Sequence, residues 1–222
     1  YGSSFPINRT FTTQELGFAT LKFNSVAAQM SRGKSEKTVA FAMSSVAATL
    51  VKFSMDVCLY MSQNFDFISL PAHLTTGSSI MPHKKNPDVF ELIRGKCNKI
   101  QALPYEITLI TNNLPSGYHR EFQLLKEGLF PAIQNLKACL DIAIFSIKDI
   151  KVKDNILADP KYNYLFTVDT LNEMVVAGMP FRDAYKAVAE QLENGTYESP
   201  KATQHTHEGS INNLCLKEIK EK

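Results

Sequence analysis

The residues best suited to chemistry lie together in one short segment, Gly77–Pro87, which reads Gly-Ser-Ser-Ile-Met-Pro-His-Lys-Lys-Asn-Pro. Ser78 and Ser79 offer hydroxyls, and the two lysines of the segment supply positive charge. A helix that begins near Asn86 would add free backbone N–H groups, which attract an anion. The segment could therefore hold a carboxylate, although a solvated basic loop would have the same composition.

A second group of polar side chains follows the break at Leu114-Pro115-Ser116-Gly117. Gln123 and Lys126 are three residues apart, so they share one face of a helix. Tyr118 lies near the predicted start of that helix and can turn toward the same pocket. Taken alone, a tyrosine in this position is more often a packing residue.

Histidine and cysteine do not predict a metal centre. His205 and His207 have no carboxylate or cysteine at ligand spacing beside them. The four cysteines lie far apart without a Cys-x-x-Cys pair, which is typical of reduced thiols in the cytoplasm. We expect no metal and no cofactor.

The composition favours a small-molecule ligand. The chain has 222 residues, 44% of them hydrophobic, which is enough for the core of one or two domains. The net charge of +2 does not suggest a nucleic-acid or membrane-surface partner. No apolar run reaches the roughly 18 residues of a membrane span, so we expect no membrane partner.

These side chains must be positioned by helices. Residues 21–63 are almost free of Gly and Pro and carry apolar residues at helical spacing, which predicts a long helix with an interruption near Gly33. Residues 64–87 are rich in Gly, Ser and Pro and predict a long loop. A second helix should begin with Asn86 as its N-cap and Pro87 in its first turn, and Pro104 should kink or end it. A third helix is predicted over residues 118–147.

A charged linker, residues 148–160, precedes two shorter predicted helices at residues 164–177 and 180–193. No segment alternates strictly between apolar and polar residues, as strands do. The prediction is an all-α fold. Residues 1–158 would belong to a long-helix bundle that carries the serine loop, and residues 159–222 would form a small helical carboxy-terminal domain.

At residues 77–87 the sequence resembles the G-S-S-x-M-P-x-K-x-N-P signature of the fumarase and aspartase superfamily at all eleven positions. The resemblance implies that the bundle is part of the central domain of that fold. It implies that Ser78 is the proton-abstracting base, on a mobile loop. It also implies that Lys84 and Asn86 contact the substrate carboxylate, with Lys84 as a catalytic cation.

Residues 114–127 are similar to the L-P-S-x-Y-x-x-x-x-Q-x-x-K-E stretch of the argininosuccinate lyase family. The similarity implies that Tyr118, Gln123 and Lys126 bind argininosuccinate. Residues 2–9 resemble the G-T-x-F-P-I-D-R segment of the same family, which makes Arg9 a candidate substrate contact. Asn8 stands where that family usually has Asp.

The family resemblance implies a carbon-nitrogen lyase that reversibly eliminates fumarate from argininosuccinate to give arginine, in arginine biosynthesis. It implies a cytoplasmic homotetramer whose sites are each built from three subunits. The chain resembles the carboxy-terminal half of such enzymes. A threonine-histidine segment that supplies the family's catalytic His has no match here, so we expect the chain alone to be an inactive fragment.

Two alternatives remain open. Adenylosuccinate lyase, fumarase and aspartase share the serine loop and the fumarate product, although the Tyr118, Gln123 and Lys126 set argues against them. A catalytically silent relative, like the lens crystallins, could also keep these residues.

Overall fold

The chain is described by a computed structural model, which covers residues 2–200 and 205–221. It divides into two compact units, Tyr1–Val152 and Lys153–Lys222. The sequence-based boundary after residue 158 lies six residues beyond this division. Each unit has its own apolar core.

The first unit is a bundle of long helices. Two short strands, β1 (Ile68–Ser69) and β2 (Lys151–Val152), pair in antiparallel register, Ile68 with Val152 and Ser69 with Lys151. Short 3₁₀ helices occupy Ala72–Leu74 and Arg120–Gln123. The α-helices are α1 (Arg9–Glu15), α2 (Ser25–Met30), α3 (Lys34–Tyr60), α4 (Asp88–Thr111) and α5 (Leu125–Ile147).

Gly33 separates α2 from α3, and the predicted interruption of the long helix is confirmed. Its φ of +81° lies in the region that favours glycine. A Cβ at this position would lie 2.5 Å from Cγ2 of Thr111, at the far end of α4. The backbone N–H of Gly33 donates to Oε2 of Glu36 at 2.8 Å, which satisfies one free donor at the start of α3.

Helices α3, α4 and α5 enclose the main core of the first unit. Phe90 is completely buried, and its ring meets that of Phe53 edge-to-face at 5.8 Å. Burying a side chain of this size contributes about 1.5–3 kcal/mol. The other large residues with less than 2% exposure are Ile107 and Cys97 on α4 with Leu125 and Cys139 on α5.

Helix α4 departs from the prediction at its start. Pro87 is the N-cap residue and the helix begins at Asp88, so Asn86 lies one residue outside the cap position we predicted for it. The reason is that both backbone groups of Asn86 are bonded to Thr76 in an isolated bridge.

Helix α4 also continues through Pro104 to Thr111, so the prediction that Pro104 could end it is wrong. Proline removes one backbone donor, but Pro104 is buried in the core, which offsets that loss. The hydroxyl of Thr108 binds the carbonyl of Pro104 at 2.6 Å.

The third predicted helix begins later than expected. The 3₁₀ helix Arg120–Gln123 comes first, and α5 begins only at Leu125. Leu124, with φ −64° and ψ −25°, joins the two without a turn. Gln123 and Lys126 therefore lie on consecutive helical elements rather than within one α-helix.

Two segments, Lys34–Tyr60 and Arg120–Ile147, are long and apolar enough by length and composition to cross a membrane. Sequence inspection looked for unbroken apolar runs, and polar and charged residues such as Lys52, Asp56 and Lys137 interrupt both segments. Only 22% and 28% of their most apolar windows are buried within the chain. Their exposed apolar side chains include Val39, Phe41, Val46, Met55 and Leu59 on α3 and Phe130, Ile144, Phe145 and Ile147 on α5.

The second unit contains the 3₁₀ helices Ile156–Ala158 and Pro160–Phe166, then α6 (Thr167–Val176), α7 (Phe181–Glu193) and α8 (Leu216–Lys220). The two predicted helices match α6 and α7. Its small core consists of Leu171, Ala184 and Val188 with partly buried neighbours. The helical content of the two units agrees with the predicted all-α fold.

Candidate active site

Residues 77–85, which we call the Ser loop, protrude before the start of α4. Their ends are joined by two backbone hydrogen bonds between Thr76 and Asn86. The N–H of Thr76 donates to the carbonyl of Asn86 at 3.2 Å, and the N–H of Asn86 donates back at 2.9 Å. The loop is therefore closed at its base.

Ser78 lies at the beginning of the Ser loop and is half-buried. Its Oγ accepts hydrogen bonds from the backbone N–H of Ile80 at 3.2 Å and of Met81 at 3.1 Å. Two amide donors favour the negatively charged form of an oxygen over its neutral form. This arrangement stabilises an ionised Ser78, which is what a serine base requires. Ser79 is exposed.

Lys84 and Asn86 line a cavity of about 580 Å³ next to the loop. Its other loop residues include His83 and Lys85, and its opposite wall comes from the end of α3 and the segment that follows it. Ser78 is not among the lining residues. The adjacent lysine side chains give the loop side of the cavity a positive charge that suits a carboxylate, whereas Asp66 lies in the other part of the lining.

Cys58 also lines this cavity. Burial raises the pKa of its thiol, and Glu91 raises it further, while Arg94 lowers it. The net direction keeps the thiol protonated, so Cys58 brings no negative charge to the cavity.

Tyr118, Gln123 and Lys126 form a hydrogen-bonded chain, so the structure brings these three predicted residues together. Nε2 of Gln123 donates to the Tyr118 hydroxyl oxygen at 2.7 Å, and Nζ of Lys126 donates to Oε1 of Gln123 at 3.1 Å. Because Tyr118 accepts from the amide, its own O–H is directed elsewhere as a donor. All three side chains are exposed, and together they present donors to an external acceptor.

The two groups lie at opposite ends of the bundle. The Ser loop precedes the first residue of α4. Thr111, the last residue of α4, lies at the other end of that helix, where Gly33 is close to both Thr111 and Phe122. The 24 residues of α4 span about 36 Å at about 1.5 Å per residue. The structure does not bring Ser78 and Tyr118 together within one chain.

Arg9 is the first residue of α1, and its guanidinium donates to the carbonyls of Phe23 at 2.8 Å and Lys22 at 2.5 Å. Asn8 caps the helix by accepting from the N–H of Phe11 at 3.0 Å, as an Asp would. The guanidinium of Arg9 thus holds the start of α1 to the segment at Lys22 and Phe23. Its role as a substrate contact stays a prediction.

Sequence reasoning missed two contacts. The hydroxyl of Thr76 donates to the carboxylate of Asp88, and Nε2 of His205 lies 2.6 Å from Oδ1 of Asp169. The partners are 12 and 36 residues apart, so no local pattern pairs them. Within residues 2–200 and 205–221, no three His, Cys, Asp or Glu side chains cluster as metal ligands would.

Comparison with known sequences gives one family match and many close relatives. Residues 2–102 match the family described as Lyase. The chain is 58% identical over 219 residues to the argininosuccinate lyase of Parabacteroides distasonis, an alignment that covers 99% of this chain and 49% of the relative. The argininosuccinate lyase of Xanthomonas oryzae pv. oryzae is 40% identical over 190 residues, which cover 86% of this chain and 44% of the relative. The chain thus spans about half the length of the curated relatives it matches.

Solved structures support the fold. An EDDS lyase in complex with formate superimposes with a TM-score of 0.73 at 23% identity, covering 87% of this chain and 39% of that one. The class II fumarase of Schistosoma mansoni superimposes with a TM-score of 0.66 at 20% identity, covering 92% of this chain and 41% of the fumarase. The long-helix bundle is the fold that they share with this chain.

Proposed function

We propose that this chain, which matches the lyase family over residues 2–102, forms part of an argininosuccinate lyase, which eliminates fumarate from argininosuccinate and leaves arginine. The observation that carries the proposal is the pair of amide donors on Ser78, in a loop whose lysines and Asn86 line a cavity. The reaction requires a base, a site for the carboxylate and an acid for the departing nitrogen, and these residues would supply the first two.

We propose that Ser78 removes the proton from the carbon next to a substrate carboxylate. The resulting carbanion places its charge on the carboxylate oxygens, which then carry two negative charges. Lys84 and Asn86 would stabilise that aci-carboxylate. Its electrons then form the carbon-carbon double bond of fumarate as the carbon-nitrogen bond breaks, and arginine leaves once the departing nitrogen has taken a proton. Losing one preorganised donor of this kind costs about 2.7–4 kcal/mol in other enzymes, so a few such groups are sufficient to make the elimination fast.

Tyr118, Gln123 and Lys126 would bind another part of the substrate. Their hydrogen-bonded chain fixes the direction in which the Tyr118 hydroxyl and the remaining Lys126 protons can donate. A site that is built to satisfy specific acceptors rejects a substrate that lacks them. This set would select argininosuccinate among the substrates that release fumarate.

The separation of the two groups supports an assembled site. The Ser loop has nine residues whose ends are held together, so its tip extends at most about 16 Å from the base at about 3.4 Å per residue. That is less than half of the roughly 36 Å length of α4. We call Tyr118, Gln123 and Lys126 the Tyr118 group. We propose that one site takes its Ser loop from one copy of the chain and its Tyr118 group from another.

The exposed apolar faces of α3 and α5 support the same assembly. Soluble monomers rarely expose apolar patches larger than a few hundred Å². Packing these helices against those of other copies would bury them in a homotetrameric bundle. We further propose a cytoplasmic enzyme of arginine biosynthesis, as its resemblance to the family implies.

The test is to add argininosuccinate to the whole protein that contains this chain and to follow fumarate by ultraviolet absorbance. We expect fumarate release with argininosuccinate and at least about 100-fold less with adenylosuccinate, malate or aspartate, because those lack the arginine portion that we assign to Tyr118, Gln123 and Lys126. Release from adenylosuccinate or aspartate instead would contradict the proposed substrate. Absence of release from all four would indicate a silent relative.

A further inference from the structure

The base of the Ser loop is held by a side-chain contact in addition to its backbone bridge. The hydroxyl of Thr76 donates a hydrogen bond to Oδ2 of Asp88. The same threonine is bonded to Asn86 through both of its backbone groups. Asp88 is the first residue of α4. Three hydrogen bonds therefore tie the residue that precedes the loop to the residues that follow it.

We propose that Thr76 and Asp88 are a positioning pair for the elimination, an inference that rests on the proposed function. Neither residue lines the cavity next to the loop, so neither is assigned a contact with substrate. The pair acts through its neighbours. Ser78 is two residues from Thr76, and Asn86 is the bridge partner of Thr76. The hydrogen bond between Thr76 and Asp88, which we call the tie, therefore sets the position of the base relative to the carboxylate site.

The side-chain bond is needed because the backbone bridge is weakly protected. Thr76 is exposed, so water competes for its two backbone hydrogen bonds. A hydrogen bond to a charged acceptor is stronger than one between neutral groups. Asp88 also carries its charge in the first turn of α4, where the helix dipole favours an anion.

Asp88 gives the loop a rigid point of attachment. Two residues further along α4, Phe90 is completely buried and packs against Phe53. Asp88 therefore cannot move without the helix. Binding Thr76 holds the carboxylate at the base of the loop, and Asp88 does not line the cavity that would receive the substrate carboxylate.

The tie should matter more for the chemical step than for substrate binding. A displacement of about 1 Å between reacting groups can cost about 100-fold in rate. Contacts of long, flexible side chains such as Lys84 adapt to such a displacement. We therefore expect loss of the tie to lower kcat and to leave KM nearly unchanged.

The experiment compares Thr76→Val, Thr76→Ser and Thr75→Val in the whole enzyme. Valine keeps the shape of threonine without the donor, and serine keeps the donor. Thr75 is the matched control because, among the residues that the structure describes, its hydroxyl bonds within its own turn, to Ala72 at 3.3 Å and Pro71 at 3.4 Å. We expect Thr76→Val to lower kcat by about 10- to 100-fold, and the other two variants to keep kcat and KM within about twofold. Loss of kcat that is equal in Thr75→Val would overturn the proposal.

Amide hydrogen exchange separates this inference from the proposed function. Without substrate, Thr76→Val should exchange the N–H of Asn86 faster than the wild type, whereas Thr75→Val should not. If the wild type releases no fumarate, the proposed function fails while exchange still tests the tie. If exchange at Asn86 is unchanged in Thr76→Val, the pair does not hold the loop. Faster exchange with an unchanged kcat would also overturn the positioning role and leave the proposed function intact.

Discussion

The two amide donors on Ser78 distinguish it from its neighbour Ser79, although both carry the same hydroxyl. Stabilising the ionised oxygen requires donors that are already in place, and only Ser78 accepts hydrogen bonds from Ile80 and Met81. The choice of the first serine as the base rested on family resemblance. The local geometry now supplies a physical reason for it.

Replacing Ser78 with Ala in the whole enzyme should lower kcat by about 10²–10⁴-fold with little change in substrate affinity, since a positioned base is lost. Ser79→Ala is the matched control and should lower kcat by less than about tenfold. Single-turnover kinetics with argininosuccinate measure the chemical step directly. The opposite ranking of the two variants would assign the base to Ser79.

The cysteines differ in their environment in a way that their spacing does not reveal. Burial raises the pKa of the Cys97 thiol to about 12, and the neighbouring Cys139 contributes to the rise. At pH 8 only about one thiol in 10⁴ would then be ionised. Iodoacetamide should therefore leave Cys97 unmodified in the folded protein and modify it after denaturation, as read by mass spectrometry. Cys215, which is half-buried, is the internal control, and equal labelling rates at the two positions would contradict the buried thiol.

Sequence reasoning named the residues with recognisable motifs and missed those that act through structure. Tyr118, Gln123 and Lys126 were found because they match a family pattern, and they are hydrogen-bonded to one another. Thr76 and Asp88 carry no motif of their own, and their contact exists only because the chain returns after the Ser loop. Arg9 shows the reverse case, since a residue chosen by resemblance has backbone carbonyls as partners.

At the scale of elements, glycine predicted a helix boundary better than proline did. Gly33 was a correct predictor of a break, because its positive φ and its closeness to Thr111 both exclude a side chain. Pro104 was a poor predictor of a helix end, because a proline that is buried between helices can be held within one. The start of α5 was misplaced because residues 120–123 form a 3₁₀ helix, which apolar spacing does not distinguish from an α-helix.

Gly33→Ala tests how the start of α3 is fixed against the end of α4. The left-handed backbone costs a non-glycine residue about 1–2 kcal/mol, and crowding against Thr111 adds about 1–3 kcal/mol. Gly17→Ala is the matched control, because Gly17 has a similar φ of +71° but nothing within 4 Å of an added Cβ. Chemical denaturation should show a larger loss in the free energy of unfolding for Gly33→Ala. Equal losses would mean that Thr111 moves aside.

At the scale of the whole molecule, the length of α4 separates the Ser loop from the Tyr118 group. Sequence motifs alone do not reveal this separation, since both lie within 50 residues of each other along the chain. An antiparallel bundle places the two ends of each helix at opposite ends of the unit. Assembly of several copies around shared sites would bring the Ser loop and the Tyr118 group together. The same assembly would bury the exposed apolar faces of α3 and α5.

Mixing two inactive variants tests this assembly. In a Ser78→Ala protein every Ser loop is defective, and in a Lys126→Met protein every Tyr118 group is defective. If each site combines the two groups from different copies, random mixed oligomers contain sites in which both groups are intact. About one quarter of the sites should then recover, because each group is drawn independently from the two variants with equal chance.

The control mixes Ser78→Ala with Lys84→Ala. Both substitutions lie in the same Ser loop, so no oligomer can contain a site with an intact loop, and we expect no recovery of fumarate release. The variants should be co-expressed with different affinity tags, and oligomers carrying both tags should be assayed at limiting argininosuccinate. Recovery in the first mixture but not in the control would require that the Ser loop and the Tyr118 group reach one substrate from separate chains. Equal absence of recovery would mean that one chain supplies both groups, which the roughly 36 Å length of α4 would permit only if the bundle rearranged.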